Sequence, residues 1–239
     1  MSERFLRTEM LLGAAAMERL RTSCVAVFGL GGVGSWCAEA LCRSGVGSIA
    51  LIDQDTVSES NINRQLCALS STIGRAKAEV MAERLRDINP AAEAIPFNAR
   101  YEAATREMFF ARRFDYIVDC IDLVACKLDL IETAVDRGIP IISALGAGNK
   151  ADASLLRLSD IAKTESDPLA RVVRKELRKR GITHLPVVYS GECGMKPGQA
   201  EQPPPGRRSI PGSLVWVTAT AGMLLCSHVV GELVKQQEV

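Results

Sequence analysis

Six residues, Gly29-Leu30-Gly31-Gly32-Val33-Gly34, constrain this chain more than any other part of it. They follow a short β-prone run, CVAVF at 24–28, and open a helical segment from about Ser35 to Arg43 that ends at Gly45. A G-x-G-x-x-G between strand and helix demands a tight turn. Gly29 permits that turn, Gly31 lets the backbone approach a phosphate with no Cβ in the way, and Gly34 allows close helix–strand packing. The helix N-terminus then offers unpaired N–H groups and partial positive charge to an anion. Gly29, Gly31, Gly32 and Gly34 are therefore candidate nucleotide-binding positions. Asp53 ends the next strand, nineteen residues after Gly34, where a carboxylate accepts hydrogen bonds from ribose hydroxyls.

The remaining pattern extends this start into a fold. Strands are expected at 48–53, 94–99, 115–120 and 140–145, with helices at 75–88 and 127–137 between them. Alternating strands and helices mean βαβ units, hence an α/β, Rossmann-like, mainly parallel sheet with flanking helices. The first twenty residues read as a helix with Leu11, Leu12, Ala15 and Met17 on one side. After Leu145 the pattern changes to a C-terminal extension of mixed strands and helix. Residues 168–180 form a basic helix that opens on a favourably placed proline, and 185–190 form a strand. Residues 191–212 hold five prolines and five glycines and read as a mobile loop. The chain is thus expected to be one domain over 1–239, with an arm at 1–22, a nucleotide-binding core at 23–160, the basic helix and loop at 161–212 and a closing helix at 213–239.

Composition excludes several alternatives. Apolar residues make up 47% and charged residues 24%, and the net charge is +1, so neither a polybasic tail nor an acidic disordered chain organises the protein. Charge is nevertheless uneven, because 163–208 carries ten Lys or Arg against five Asp or Glu. The opening segment has charges throughout its apolar stretch, which argues against a signal peptide and for a cytoplasmic protein. Its eight cysteines are then expected to be reduced thiols, and no pair has the C-x-x-C spacing of a zinc site. Residues 213–234 are long enough to cross a bilayer, but polar residues along them favour a buried amphipathic helix over a span.

The segment after the second strand separates ATP from a nicotinamide coenzyme. Asp53, Asp55, Asn61, Arg64 and Gln65 fall close together, and Lys77 sits one turn into the next helix. Hydride transfer has no evident use for such a cluster around phosphates, whereas nucleotidyl transfer must neutralise charge on the α-phosphate and the departing pyrophosphate. Arg64 and Lys77, expected to be exposed in the site, suit the β- and γ-phosphates. Asn61 suits a phosphoryl oxygen or a magnesium shell. Asp119 and Asp122 end the fourth strand at the carboxyl edge, where parallel sheets bind ligands. Asp122 is the stronger Mg²⁺ candidate, while Asp119 is equally open to a structural role.

The runs GLGGVGS, IDQDTVSESNINRQ, GRAKAE and DCID, in this order and spacing, resemble the ubiquitin-activating-like adenylyltransferases. That family includes the molybdopterin-synthase and thiazole-biosynthesis adenylyltransferases. LSDIAKTESDPLARVVRKELRKRGI and the late VWVTATAG are similar to the branch that dehydrates a threonylcarbamoylated adenosine in tRNA. The resemblance covers about 5–235. It implies MgATP-dependent attachment of AMP to a carboxylate, a tRNA substrate, a homodimer and a sulfurtransferase-system partner protein. It also implies ATP-binding roles for Gly29–Gly34, Asp53, Asp55, Asn61, Arg64, Gln65 and Lys77, and a metal role for Asp122. Arg4-Phe5-Leu6-Arg7 is similar to an N-terminal segment whose second arginine reaches the partner's ATP site, so Arg7 joins Arg64, Lys77 and Asp122 as a catalytic candidate. The alternative is activation of the C-terminus of a small sulfur-carrier protein. That activity goes with paired zinc cysteines or a reactive thiol. This chain lacks the pairs, and its one loop cysteine, Cys193, has no activating neighbour in the sequence. The basic helix and Arg207-Arg208 are candidates to meet tRNA phosphates, although the helix alone is equally consistent with a solvated face.

Overall fold

A computed structural model describes residues 3–196, 198 and 211–235. Arg207 and Arg208, and most of the proline-rich 191–212 segment, lie outside the described residues. Strands β1 (Cys24–Phe28), β2 (Ser48–Ile52), β3 (Glu93–Phe97), β4 (Tyr116–Asp119), β5 (Ile141–Ala144), β6 (Leu156–Asp160) and β7 (Pro186–Ser190) form one sheet. Its order is β3-β2-β1-β4-β5-β7-β6. Every neighbouring pair is parallel except β6 with β7. The doubly wound α/β fold is therefore as expected. Winding reverses between β1 and β4, which opens a crevice beyond their carboxyl ends.

Both sheet faces are buried, so the central strands read as continuous apolar runs. One face packs against α2 (Ala14–Thr22), α3 (Gly34–Arg43), α4 (Lys77–Ile88) and α8 (Val215–Lys235). The other packs against α5 (Arg106–Phe110), α6 (Val124–Asp136) and α7 (Pro168–Lys179), around Phe28, Tyr101 and Phe109. Helix α8 lies along α3. A Cβ at Gly222 would come 2.7 Å from the Val33 carbonyl oxygen, so glycine sets the distance between these two helices. Although α8 is long and apolar enough to cross a membrane, it buries Val217, Ala221, Leu225, Val229 and Leu233 in the core, as the sequence reading favours.

Three expectations need correction. The N-terminal arm is two helices, α1 (Leu6–Leu12) and α2, broken at Gly13 with φ 82°. Leu11 is 87% exposed, and Leu12 and Ala15 are exposed as well. The buried side of α2 is instead Ala16, Met17 and Leu20. Helix α6 begins at Val124, three residues earlier than expected, directly after the Asp122 turn. Strand β6 was not anticipated. Its Leu-Arg-Leu alternation is brief, and the outer Leu158 stays about half exposed on the sheet edge.

Candidate active site at the switch point

The glycine loop bridges β1 and α3, and its neighbours explain its composition. Gly29 has φ 89°, and a Cβ there would lie 2.6 Å from the Cys120 carbonyl oxygen at the end of β4. A Cβ at Gly34 would lie 1.8 Å from the Gly29 oxygen. At Gly32 it would press against Thr218 of α8 and the Arg64 side chain, at 3.2 and 3.3 Å. At Gly31 its nearest neighbour would be Gln65 Nε2 at 3.9 Å. Gly29 and Gly34 are required by protein packing, and Gly32 is closely confined by it. Gly31 faces comparatively open space, the position where a ligand phosphate approaches.

Asp53 anchors the loop from below. Its Oδ2 accepts the Leu30 N–H at 2.7 Å and its Oδ1 accepts the Asp55 N–H at 2.8 Å. Burial raises the Asp53 pKa above the ordinary carboxylate value, partly offset by the Lys77 charge and these two N–H donors. Ser35 adds a second tie, donating to the Gly31 carbonyl at 2.7 Å and accepting the Leu66 N–H at 3.1 Å.

The polar stretch after β2 folds back over this loop. Asn61 is buried, and its Oδ1 accepts the Ser58 N–H at 3.2 Å, leaving its amide NH₂ to serve a ligand. Arg64 is partly exposed, as expected, and its Nη1 donates to the Ser60 carbonyl and Asn63 Oδ1, both at 2.9 Å. Gln65 is buried beside Gly31, and its Oε1 is without a partner among the described residues. A buried carbonyl oxygen left unpaired costs free energy unless a water or ligand satisfies it.

Lys77 differs from expectation. It is the first residue of α4, with its side chain only 6% exposed, and its Nζ donates to Asp55 Oδ2 at 3.0 Å. Asp55 itself is 58% exposed. Burial of Lys77 follows from α4 packing its first turn against the strand-edge loop, a tertiary effect that helical periodicity does not report.

The two aspartates of the DCID run separate completely. Asp122 is exposed and makes no hydrogen bond or ion pair among the described residues. Asp119 is fully buried. Its Oδ2 meets Lys127 Nζ at 2.7 Å and accepts the Ser143 hydroxyl at 2.6 Å, while its Oδ1 accepts the Ile121 N–H at 3.0 Å. Asp119 is thereby structural, and its partner Lys127 was missed by sequence reasoning. No group of three or more His, Cys, Asp or Glu among the described residues is arranged to hold a metal. An ion here would draw on fewer than three such side chains and complete its shell with phosphate and water oxygens, a donor set that suits Mg²⁺.

The remaining candidates sit on other segments of the chain. Arg7 is exposed on α1, with no hydrogen bond or ion pair among the described residues. Cys193 is exposed, and the described cysteines are all free thiols. Burial pushes the Cys42, Cys67 and Cys226 thiols up to about 11 and that of Cys37 well above its ordinary value, which keeps them unreactive. On α7 the cations divide into two sets. Arg174 turns back to the Thr164 carbonyl at 2.8 Å, Lys179 meets Glu176 at 2.7 Å, and Arg180 meets Glu132 at 3.3 Å. Arg171, Lys175 and Arg178, at i, i+4 and i+7, are exposed and unpaired among the described residues.

A glycine loop and helix N-terminus at a topological switch point, ringed by Asn61, Arg64 and Lys77, define a nucleotide-binding α/β protein equipped to handle a polyphosphate. The particular family follows from comparison. The ThiF family profile matches residues 5–236, and the chain belongs to that family. The tRNA threonylcarbamoyladenosine dehydratase of Bacillus subtilis is 41% identical over 100% of this chain and 98% of its own length. The enzyme of the same name from Escherichia coli is 36% identical over 95% of this chain and 91% of its own. A crystal structure of the E. coli enzyme in complex with ATP matches with a TM-score of 0.88, covering 98% of this chain and 95% of that one at 35% identity.

Proposed function

We propose that the protein is an ATP-dependent tRNA threonylcarbamoyladenosine dehydratase. The observation that carries this reading is 41% and 36% identity over nearly the full length of two enzymes of that name. The reaction begins when the threonyl carboxylate attacks the α-phosphorus of ATP. The bond to pyrophosphate breaks and an acyl-adenylate forms. The side chain's own carbamoyl group then displaces AMP and closes a ring, and the net change in the nucleoside is loss of water. No protein nucleophile is needed, which suits a chain whose core thiols are protonated.

The enzyme's work is positioning and charge neutralisation. The Gly29–Gly34 loop holds the phosphates, and Asp53 faces the ribose. Arg64 and Lys77 take the β- and γ-phosphates. Lys77 is already desolvated, and its partner Asp55 is exposed enough to be displaced by a phosphate oxygen. Asn61 donates its free amide hydrogens, and Gln65 lines the Gly31 edge. Mg²⁺, held by Asp122 with phosphate and water oxygens, would supply further charge neutralisation at the leaving pyrophosphate.

Two partners belong to this reading. The first is a second copy of the chain, placing Arg7 in the neighbouring ATP site. Support comes from the arm's exposed apolar residues, Met10 at 77% and Leu11 at 87%, which a monomer leaves in water. The second is the tRNA backbone, met by Arg171, Lys175 and Arg178. These are the α7 cations that make no hydrogen bond or ion pair among the described residues.

The test uses MgATP and tRNA bearing the threonylcarbamoyl adenosine. Mass spectrometry should find the nucleoside lighter by one water, with AMP released in equal amount. An unchanged nucleoside in the presence of folded, ATP-binding protein would reject the reading.

A further inference from the structure

Lys127 lies outside every recognised motif, yet it is among the most constrained side chains in the molecule. It is completely buried, and its ammonium has three acceptors: Asp119 Oδ2 at 2.7 Å, Ser143 Oγ at 3.0 Å and the Ala144 carbonyl at 3.0 Å. An ammonium has three hydrogens to donate, so the group is saturated. Ser143 closes the ring by donating to Asp119 Oδ2, and the remaining Asp119 oxygen takes the Ile121 N–H. None of these atoms is left unsatisfied. The network joins the carboxyl end of β4, the carboxyl end of β5 and the first turns of α6.

A buried ion pair is a poor device for stability alone, since apolar side chains of similar volume serve a core as well or better. A fully satisfied polar network instead removes conformational freedom from the backbone it holds. The backbone held here is the turn from Asp119 to Leu123. Its Cys120 carbonyl abuts Gly29 of the phosphate loop, and it carries the exposed Asp122 carboxylate.

We infer that Lys127 is a positioning residue for the nucleotide site: by tying Asp119 to Ser143 and Ala144, it holds the Cys120–Asp122 turn in register with the glycine loop. The inference rests on the nucleotide reading of that loop, not on the identity of the carboxylate substrate. Lys127 touches neither the nucleotide nor the reacting atoms. Its effect passes through the turn.

The test separates charge balance from positioning. Lys127→Met alone leaves Asp119 buried and unpaired. Lys127→Met combined with Asp119→Asn removes both charges while keeping acceptors for the Ile121 N–H and polar contact with Ser143. The double variant should recover most of the melting temperature lost by the single one. It should still bind ATP about tenfold more weakly by calorimetry in the presence of Mg²⁺, with a smaller loss when Mg²⁺ is chelated. Ser143→Ala, which keeps the ion pair, is the milder probe and should weaken MgATP binding about threefold. Wild-type MgATP affinity in the folded double variant, or in Ser143→Ala should the double variant fail to fold, would overturn the inference. Absence of ATP binding by the wild-type protein would overturn the nucleotide reading itself, and this inference with it.

Discussion

Two lysine–aspartate pairs flank the crevice, one on each side of the switch point, and they are solvated very differently. On the β2 side Lys77 is buried but its partner Asp55 is 58% exposed, so water already screens half of the pair. On the β4–β5 side Lys127 and Asp119 are both 0% exposed and enclosed by further hydrogen bonds. The two pairs have nearly equal N–O distances, 3.0 and 2.7 Å, but different freedom. The first can give its ammonium to an arriving phosphate. The second cannot open without exposing an uncompensated charge to the core. On the proposed function the β2 side is the chemical wall, serving the phosphates directly, and the β4–β5 side is the scaffolding wall, whose ion pair braces the turn that carries Asp122.

The largest expected effects test the chemical wall. Arg64→Ala should reduce turnover by about 10²–10³-fold, the usual loss for a preorganised charge-stabilising donor, while leaving thermal melting unchanged. Lys77→Met should lose turnover to a similar extent and, because the side chain is buried, lower the melting temperature by a few degrees as well. If Lys77→Met turned over normally, the contrast between the two pairs would fail.

The scaffolding wall should respond in stability first. Lys127→Met alone is expected to cost about 3–5 kcal/mol in denaturant unfolding, because Asp119 is left charged and buried. Asp55→Ala should cost less, about 1–3 kcal/mol, because it strands the buried Lys77 ammonium but leaves Asp53 nearby to compensate it. Equal losses would mean that burial does not distinguish them.

The glycines allow a finer comparison. Gly34→Ala should prevent native folding, since its Cβ would overlap the Gly29 oxygen. Gly31→Ala should fold and melt normally yet bind ATP about tenfold more weakly, because the added methyl occupies phosphate space rather than protein space.

The smallest effect is a pH slope. Burial raises the Asp53 pKa, so the group's contribution to folding is fully present below the unfolded carboxylate value and is lost as pH rises through the folded one. Wild-type stability relative to Asp53→Asn should therefore fall as pH is raised from about 4, the unfolded aspartate value, through the raised pKa. Urea titrations at several pH values would show it, and a flat or rising difference would contradict the assignment.

Much of this protein was legible before folding because its constraints are local. The βα turn needs glycines at set offsets, and the strand-end carboxylate falls a fixed distance later, so Gly29–Gly34 and Asp53 stand out from spacing alone. The parallel sheet is equally legible, because strands buried on both faces must be continuous apolar runs. Other features were decided by segments far apart in the chain. Lys127 reads as an ordinary helical lysine until β5 brings Ser143 and Ala144 against it, sixteen and seventeen residues on. The division between Asp119 and Asp122, three residues apart and alike in chemistry, depends on which one turns into that assembled interior. Strand β6 exists because β7 offers an edge, and Lys77 is buried because α4 closes over the loop. Turn geometry is written in neighbouring residues, whereas the solvation of a charge depends on everything the fold packs around it.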